Sequence, residues 1–287
     1  MFRKLLITTI LCGTATSAAA ELTYGAAFAK YHRLDAGTAG TLDVSTFGGG
    51  IEYRSNALTF SGELGRIDIE GLDLDFATVG LGYTLQNGVT LGLDYTEFDI
   101  LGADTGLTSV YAMYTFGEYT LGAAIGDSSD LNDEVYTLFG AWDVSPTGTV
   151  GLDIVRIEDE TLYAGYADYD LDRYSVQADL VTTDGLDLFA VAGSYELANG
   201  FSVVGSFGTF DLYGDDGHAI TIGGQYEFSP GASVEVAIGR ISIDGAEDIN
   251  QTTFGLSYEM GRRTSKRRSL GNVFSGATGS VIGLTDF

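Results

Sequence analysis

From Leu107 to Val144 the chain alternates between apolar residues and polar or small ones with a period of two. Val110, Ala112, Tyr114 and Phe116 form one series, set against Ser109, Tyr111, Met113 and Thr115. After Gly117-Glu118, Tyr119, Leu121, Ala123 and Ile125 alternate with Thr120, Gly122, Ala124 and Gly126. Beyond an acidic stretch, Tyr136, Leu138, Gly140, Trp142 and Val144 alternate with Thr137, Phe139, Ala141 and Asp143. Successive side chains on a strand point to opposite faces, so each segment predicts a strand with one apolar face.

This hairpin unit recurs along the chain roughly every 30 residues. Rising strands are predicted to begin near Leu22, Leu58, Val89, Tyr119, Val150, Tyr174, Phe201 and Ser233. Returning strands end near Tyr53, Leu85, Phe116, Val144, Tyr169, Leu197, Phe228 and Met260. The eight pairs make sixteen strands. Two segments pattern poorly. In Leu186 to Leu197 both series compete for the apolar side, and in Leu162 to Tyr169 both carry tyrosine, so a count of fourteen stays open.

The connections fall into two alternating kinds. One is tight, with turn chemistry such as Gln86-Asn87-Gly88, Ala198-Asn199-Gly200 and Ser229-Pro230-Gly231, where glycine accepts positive φ at little cost. The other is generally longer and acidic: IDIEGLD, DILGADTG, DSSDLNDE, IEDE, DLYGDDG and SIDGAEDIN. Short turns at one end and longer loops at the other suit an up-and-down antiparallel barrel crossing an outer membrane. Tyr53, Tyr83, Phe116, Tyr119, Tyr174, Phe201 and Phe228 lie beside the tight turns, where an aromatic girdle would sit. A water-soluble β-sandwich also alternates, but it would not demand so many aromatics at strand ends. The fold class expected is all-β: a transmembrane antiparallel up-and-down barrel.

Composition sharpens this picture. Arg3 and Lys4, the apolar run Leu5 to Cys12, and Ala18-Ala19-Ala20 read as a secretory signal peptide cleaved before Glu21. That run is too short for a membrane helix. The only cysteine, Cys12, would leave with it, and Leu11 before it does not suit a lipobox. Losing Arg3 and Lys4 would take the formal net charge from −26 to −28. Such a surface disfavours nucleic acid, whose phosphates it would repel. The 41 glycines show no collagen period, and the regular alternation argues against disorder. The domain plan expected is a leader at 1–20, a barrel at 21–261 and a basic, flexible periplasmic tail at 262–287.

The series opposite the apolar one carries Glu52, Glu63, Asp94, Asp143, Asp153, Asp179, Glu196, Glu227, Glu235 and Glu259, with no Lys or Arg assigned to it. A tube lined by one sign of charge concentrates counter-ions, so these pore-lining carboxylates predict a cation preference. Lys30, Arg66, Arg156 and Arg240 each continue an outward series at the loop end of a rising strand. There they could meet lipopolysaccharide phosphates or merely snorkel at the membrane edge. Arg262, Arg263, Lys266, Arg267 and Arg268 form a basic cluster after the last strand. Three roles compete for it: an idle disordered tail, a contact to anionic periplasmic partners, or a plug inserted into the acidic lumen.

No catalytic or metal constellation is legible. His32 and His218 read as solvated loop residues without partners, and no Gly-x-Ser-x-Gly elbow occurs. The acidic loops match no calcium-loop pattern, so no cofactor is expected beyond weak divalent cation binding.

The export signal, the cysteine-free mature chain and phrases such as YTFGEYTLGAAIGD and YEFSPGASVEVAIG resemble Gram-negative outer-membrane porins, most closely the α-proteobacterial ones. The resemblance covers Glu21 to about Gly261 and is one of pattern. It implies passive diffusion of small hydrophilic solutes and ions, no enzymatic activity, an outer-membrane location and often a homotrimer. Such porins carry a long third loop folded into the lumen. Here Ile100 to Gly106 is too short for one, and the chain reaches its final Phe287 only after the tail. A closed structural or adhesive barrel with acidic surface loops is the alternative. An outer-membrane hydrolase is a further one, but no Ser-His pair can be placed for it.

Overall fold

A computed structural model describes residues 21–70, 72–100, 103–128, 134–263 and 267. The leader at 1–20 lies outside these residues, as do Lys266, Arg268 and the rest of the tail.

The strands are β1 (Glu21–Asp35), β2 (Thr41–Ser55), β3 (Leu58–Ile69) and β4 (Leu72–Thr84). They continue with β5 (Val89–Ile100), β6 (Ala103–Phe116), β7 (Tyr119–Ser128) and β8 (Glu134–Ser145). Next come β9 (Gly148–Ile157), β10 (Glu160–Leu171), β11 (Tyr174–Thr183) and β12 (Leu186–Ala198). The last four are β13 (Phe201–Leu212), β14 (Asp215–Ser229), β15 (Ala232–Ile243) and β16 (Ile249–Gly261). One short 3-10 turn, Gly37–Ala39, lies between β1 and β2. Each strand pairs antiparallel with its sequence neighbour, and β1 pairs with β16 from Tyr24↔Gly261 to Asp35↔Asn250. The sheet is therefore a closed barrel of sixteen strands, and closure leaves no unpaired edge. The count of fourteen is excluded.

The two weakly patterned segments are β10 and β12. On β12, Leu188, Ala190 and Ala192 are buried on the inner face, while Phe189 and Tyr195 are exposed on the outer one. On β10, Tyr166 is buried and Tyr163 is exposed. Their inner faces are apolar too, which is why hydropathy alone did not choose between the series.

The outward series carries large apolar side chains in the open: Leu121 at 58% exposure, Leu138 at 60%, Ile222 at 61% and Ile238 at 62%. A continuous apolar exterior of this kind belongs in lipid, not in water. Beside the tight turns the aromatic rings meet across strands. Tyr114, Phe116, Tyr119 and Trp142 form a consecutive stack with centroid spacings of 5.6, 5.6 and 5.9 Å. Tyr174 and Tyr195 lie 4.7 Å apart, and Phe201 and Tyr226 4.6 Å apart.

The tight turns are built as the turn residues dictate. Asn199 and Gly200 both take positive φ, at 56° and 80°, as a two-residue type I′ hairpin turn requires. The acidic connections depart from expectation, because most of their residues belong to strands. Only residues 70–71 separate β3 from β4, 101–102 separate β5 from β6, and 213–214 separate β13 from β14. The ladders run on past the apolar belt because backbone pairing continues as long as a partner strand faces it.

Candidate functional site

The enclosed inner wall carries the chain's chemistry, and depth along the strands divides it into two zones. In the middle, Glu63, Asp94, Asp153 and Asp179 each lie five residues past the first residue of their strands, β3, β5, β9 and β11. All four share the inward face. Asp153 and Asp179 are 5% exposed, and Asp179 Oδ2 accepts a hydrogen bond from Gln177 Nε2 at 2.9 Å. Glu52 is also buried, accepting from Thr23 Oγ1 at 2.8 Å, and Asp143 accepts from Thr149 Oγ1 at 2.8 Å. Glu196, Glu227 and Glu259 lie on the same face near the tight turns and are exposed. Glu227 Oε1 accepts the Gly231 N–H at 2.9 Å, which ties down the β14–β15 turn.

The expectation of an inner wall without cations is overturned. Lys30 faces inward, is 6% exposed, and places Nζ 3.7 Å from Glu235 Oε2. The outward series of β1 is Ala27, Ala29, Tyr31 and Arg33, all exposed, so the face assigned to Lys30 from sequence was the wrong one. Both series of β1 mix small and aromatic residues, and hydropathy does not separate them. The ladders on both sides place it inward: Lys30 pairs with Thr46 of β2 and with Gly255 of β16, and Gly255 pairs with Glu235.

Two further cations come from beyond β16. Arg263 pairs with Glu63 and lies 4.7 Å from the centroid of the Tyr24 ring. Arg267 pairs with Asp94, donates to Ser109 Oγ at 3.1 Å, and lies 4.2 Å from the Tyr111 centroid. Arg262 stays at the turn-side mouth, where its Nη1 donates to the Pro146 carbonyl at 2.7 Å.

Toward the loop end the inner wall is apolar, which the sequence reading missed. Leu34, Val44, Ala219 and Ile241 form a buried cluster joined by Ile67, Ile69, Phe210, Ile243 and Ile249. Leu107, Val135 and Val155 form another, and Ala164, Val181, Leu188 and Ala190 a third. Leu162 packs against the second and third, and Phe210 against the first and third, so the three form a nearly continuous collar. The signal was present in the sequence: Ile67 and Ile69 continue the series of Glu63, and Ile241 and Ile243 that of Glu235.

His32 belongs to this inner wall and not to a solvated loop. It is fully buried, with Nδ1 2.9 Å from Thr253 Oγ1 and 3.0 Å from Gln251 Nε2. His218 is exposed on the outer face of β14.

The remaining predicted loop-end cations do face outward. Arg66 pairs with Asp73 and lies 3.6 Å from Asp75. Arg240 lies 3.3 Å from Asp248, and Arg156 Nε donates to the Glu158 carbonyl at 3.2 Å. Among the described residues, no group of three or more His, Cys, Asp and Glu side chains is placed to hold a metal ion.

No protein-family model and no curated protein matches the chain. Solved structures do. OpdO of Pseudomonas aeruginosa aligns with a TM-score of 0.54 at 11% identity, covering 83% of this chain and 96% of that one. OccK9 (OpdG) of the same organism gives 0.53 at 10%, over 84% and 98%. A mutant of the Rhodobacter blastica porin gives 0.52 at 15%, over 84% and 100%. At these identities the likeness is one of architecture: the chain resembles outer-membrane porins in its fold, here a closed barrel of sixteen strands.

Proposed function

We propose that this protein is a non-enzymatic outer-membrane channel through which small hydrophilic solutes and ions diffuse passively. The observation that carries this reading is a closed barrel with a lipid-compatible exterior and carboxylates at mid-depth on its inner wall. The fold it shares with porins supports the same reading.

A cation preference follows from charge. Among the described residues the inner face carries these ten carboxylates and Asp168 and Asp170 of β10, against Lys30, Arg54 and the two tail arginines, so acids outnumber cations on the wall. A wall of one sign in a low-dielectric tube raises the local concentration of counter-ions. Arg66, Arg156 and Arg240 remain the groups suited to lipopolysaccharide phosphates, with Lys30 removed from that set by its burial.

One observation favours a second reading, a closed structural barrel. The apolar collar is packed to 9% exposure or less at Leu34, Val44, Val155 and Val181, and a narrow apolar ring opposes ions by excluding water. An adhesive role is less well supported, because the acidic connections present only a few residues beyond the ladders. Swelling of proteoliposomes in sugars of graded size decides between pore and closed barrel. Size-dependent swelling is expected, and no swelling with any sugar would sink the channel reading.

A further inference from the structure

The wall between β3 and β8 is shaped around the two tail arginines. Gly92 has no room for a side chain, because a Cβ there would fall inside the Tyr111 ring, and one on Gly82 would lie 2.9 Å from the Tyr111 hydroxyl. The Tyr111 ring therefore fills the space left open at Gly92 and Gly82, and the Arg267 guanidinium sits over that ring. A Cβ on Gly122 would likewise fall inside the Phe139 ring, whose centroid lies 5.9 Å from Arg267. Asp94 and Ser109 supply the carboxylate and the hydroxyl acceptor. A planar cation held between an aromatic face and a carboxylate is the geometry that guanidinium groups favour. One strand pair away, a Cβ on Gly50 would lie 3.0 Å from Arg263 Nη2 and 3.4 Å from Glu63 Cγ, so Gly50 leaves the space in which that pair forms.

The path into this cradle is also marked. Arg262 directly follows β16, its N–H donates to the Thr23 carbonyl at 2.8 Å, and its side chain reaches the β8–β9 turn. Counted from β16, that turn is reached after seven strands through β15 and after eight through β1. The Arg262 side chain thus spans the turn-side mouth from β1 to the β8–β9 turn.

We propose that Arg263 and Arg267, which lie beyond β16 in sequence, dock inside the barrel on the inner wall, so that the chain's own side chains narrow its lumen. The two arginines neutralise Glu63 and Asp94 on the inner wall. The docking rests on the contacts above and does not depend on the channel reading. The narrowing does depend on it.

The test uses the full chain with Ser109→Cys, a buried position beside Arg267, and compares it with the same chain carrying Arg263→Gln and Arg267→Gln. Both are first shown to be folded by heat-modifiable gel migration. Labelling of the introduced thiol by a small methanethiosulfonate reagent is expected to run at least about fivefold faster without the arginines, since access governs thiol reactivity. Single-channel conductance is expected to rise in the same variant. An unchanged labelling rate overturns the docking. Faster labelling with unchanged conductance in a conducting protein overturns the narrowing.

Discussion

Lys30 on β1 and Glu235 on β15 meet across an intervening strand, with Nζ and Oε2 3.7 Å apart and Gly255 of β16 between them. A Cβ on Gly255 would lie 3.3 Å from Glu235 Cβ and 3.5 Å from Lys30 Cγ, so the missing side chain is what lets the pair close. Both groups are largely withdrawn from water, and losing one partner leaves the other charge undercompensated. Lys30→Met is expected to cost on the order of 1–3 kcal/mol in urea unfolding from lipid vesicles. Lys30→Met with Glu235→Met should recover much of that loss. A double variant as unstable as the sum of the two singles would mean the pair is not coupled.

Tyr166 and Gly151 make a second test of the inner wall. A Cβ on Gly151 would fall inside the Tyr166 ring, so Gly151→Ala should destabilise by about 1–3 kcal/mol through overpacking. Tyr166→Ala in the Gly151→Ala background should relieve the clash, read as a partial return of the unfolding midpoint. Gly165→Ala, where the nearest side-chain atom would be 3.8 Å away, should cost less.

The exterior is tested at Leu138, which projects outward midway along β8 at 60% exposure. Leu138→Arg should cost about 2–4 kcal/mol in lipid, the penalty for a cation near the bilayer midplane. Arg156, on the same outward face of the adjacent β9 but at its loop end, should tolerate Arg156→Leu with a change of about 1 kcal/mol or less. Equal costs at the two positions would contradict the placement of the apolar belt.

Selectivity should follow the mid-wall carboxylates. Asp153→Asn with Asp179→Asn removes two members of that set, and the reversal potential in a salt gradient should move toward zero. Arg263→Gln with Arg267→Gln should move it the other way, because it unmasks Glu63 and Asp94. An anion preference in the unaltered protein would refute the proposed selectivity outright.

Neutralising Arg66, Arg156 and Arg240 together tests the lipid contact. Retention of lipopolysaccharide by the purified protein should fall, and the effect should be greater for Arg156 than for Arg66, which already serves two carboxylates. Unchanged retention would leave these side chains as ordinary interfacial cations.

Much of the fold was legible because its signal is local and periodic. The series through Leu121, Leu138, Ile222 and Leu256 faces hydrocarbon, and nothing polar interrupts it, so alternation alone identified the strands and their lipid face. The turn chemistry of Asn199-Gly200 needs only the permissive backbone of glycine and asparagine. The inner wall was half legible. Carboxylates among Gly, Ser and Thr announced a wet middle, but Ile67, Ile69, Ile241 and Ile243 make strands apolar on both faces near the loops, where a period of two carries no preference.

By itself the sequence determined that the chain forms paired strands with one lipid face and that acid residues alternate with it, while the choice between sixteen strands and fourteen waited for the closed ladder. The strands, their lipid face and the alternating acids each follow from a residue and its near neighbours. Tertiary structure alone decided that Lys30 meets Glu235, because that depends on the register between β1 and β16, which are joined only when the barrel closes. It also decided that Arg267 meets Asp94 and Tyr111, residues that the chain separates by far more than any hairpin. Charge complementarity predicted an attraction between tail and wall, but only the closed barrel, with its aromatic rings filling the space left open at glycines, gives that attraction a place to act.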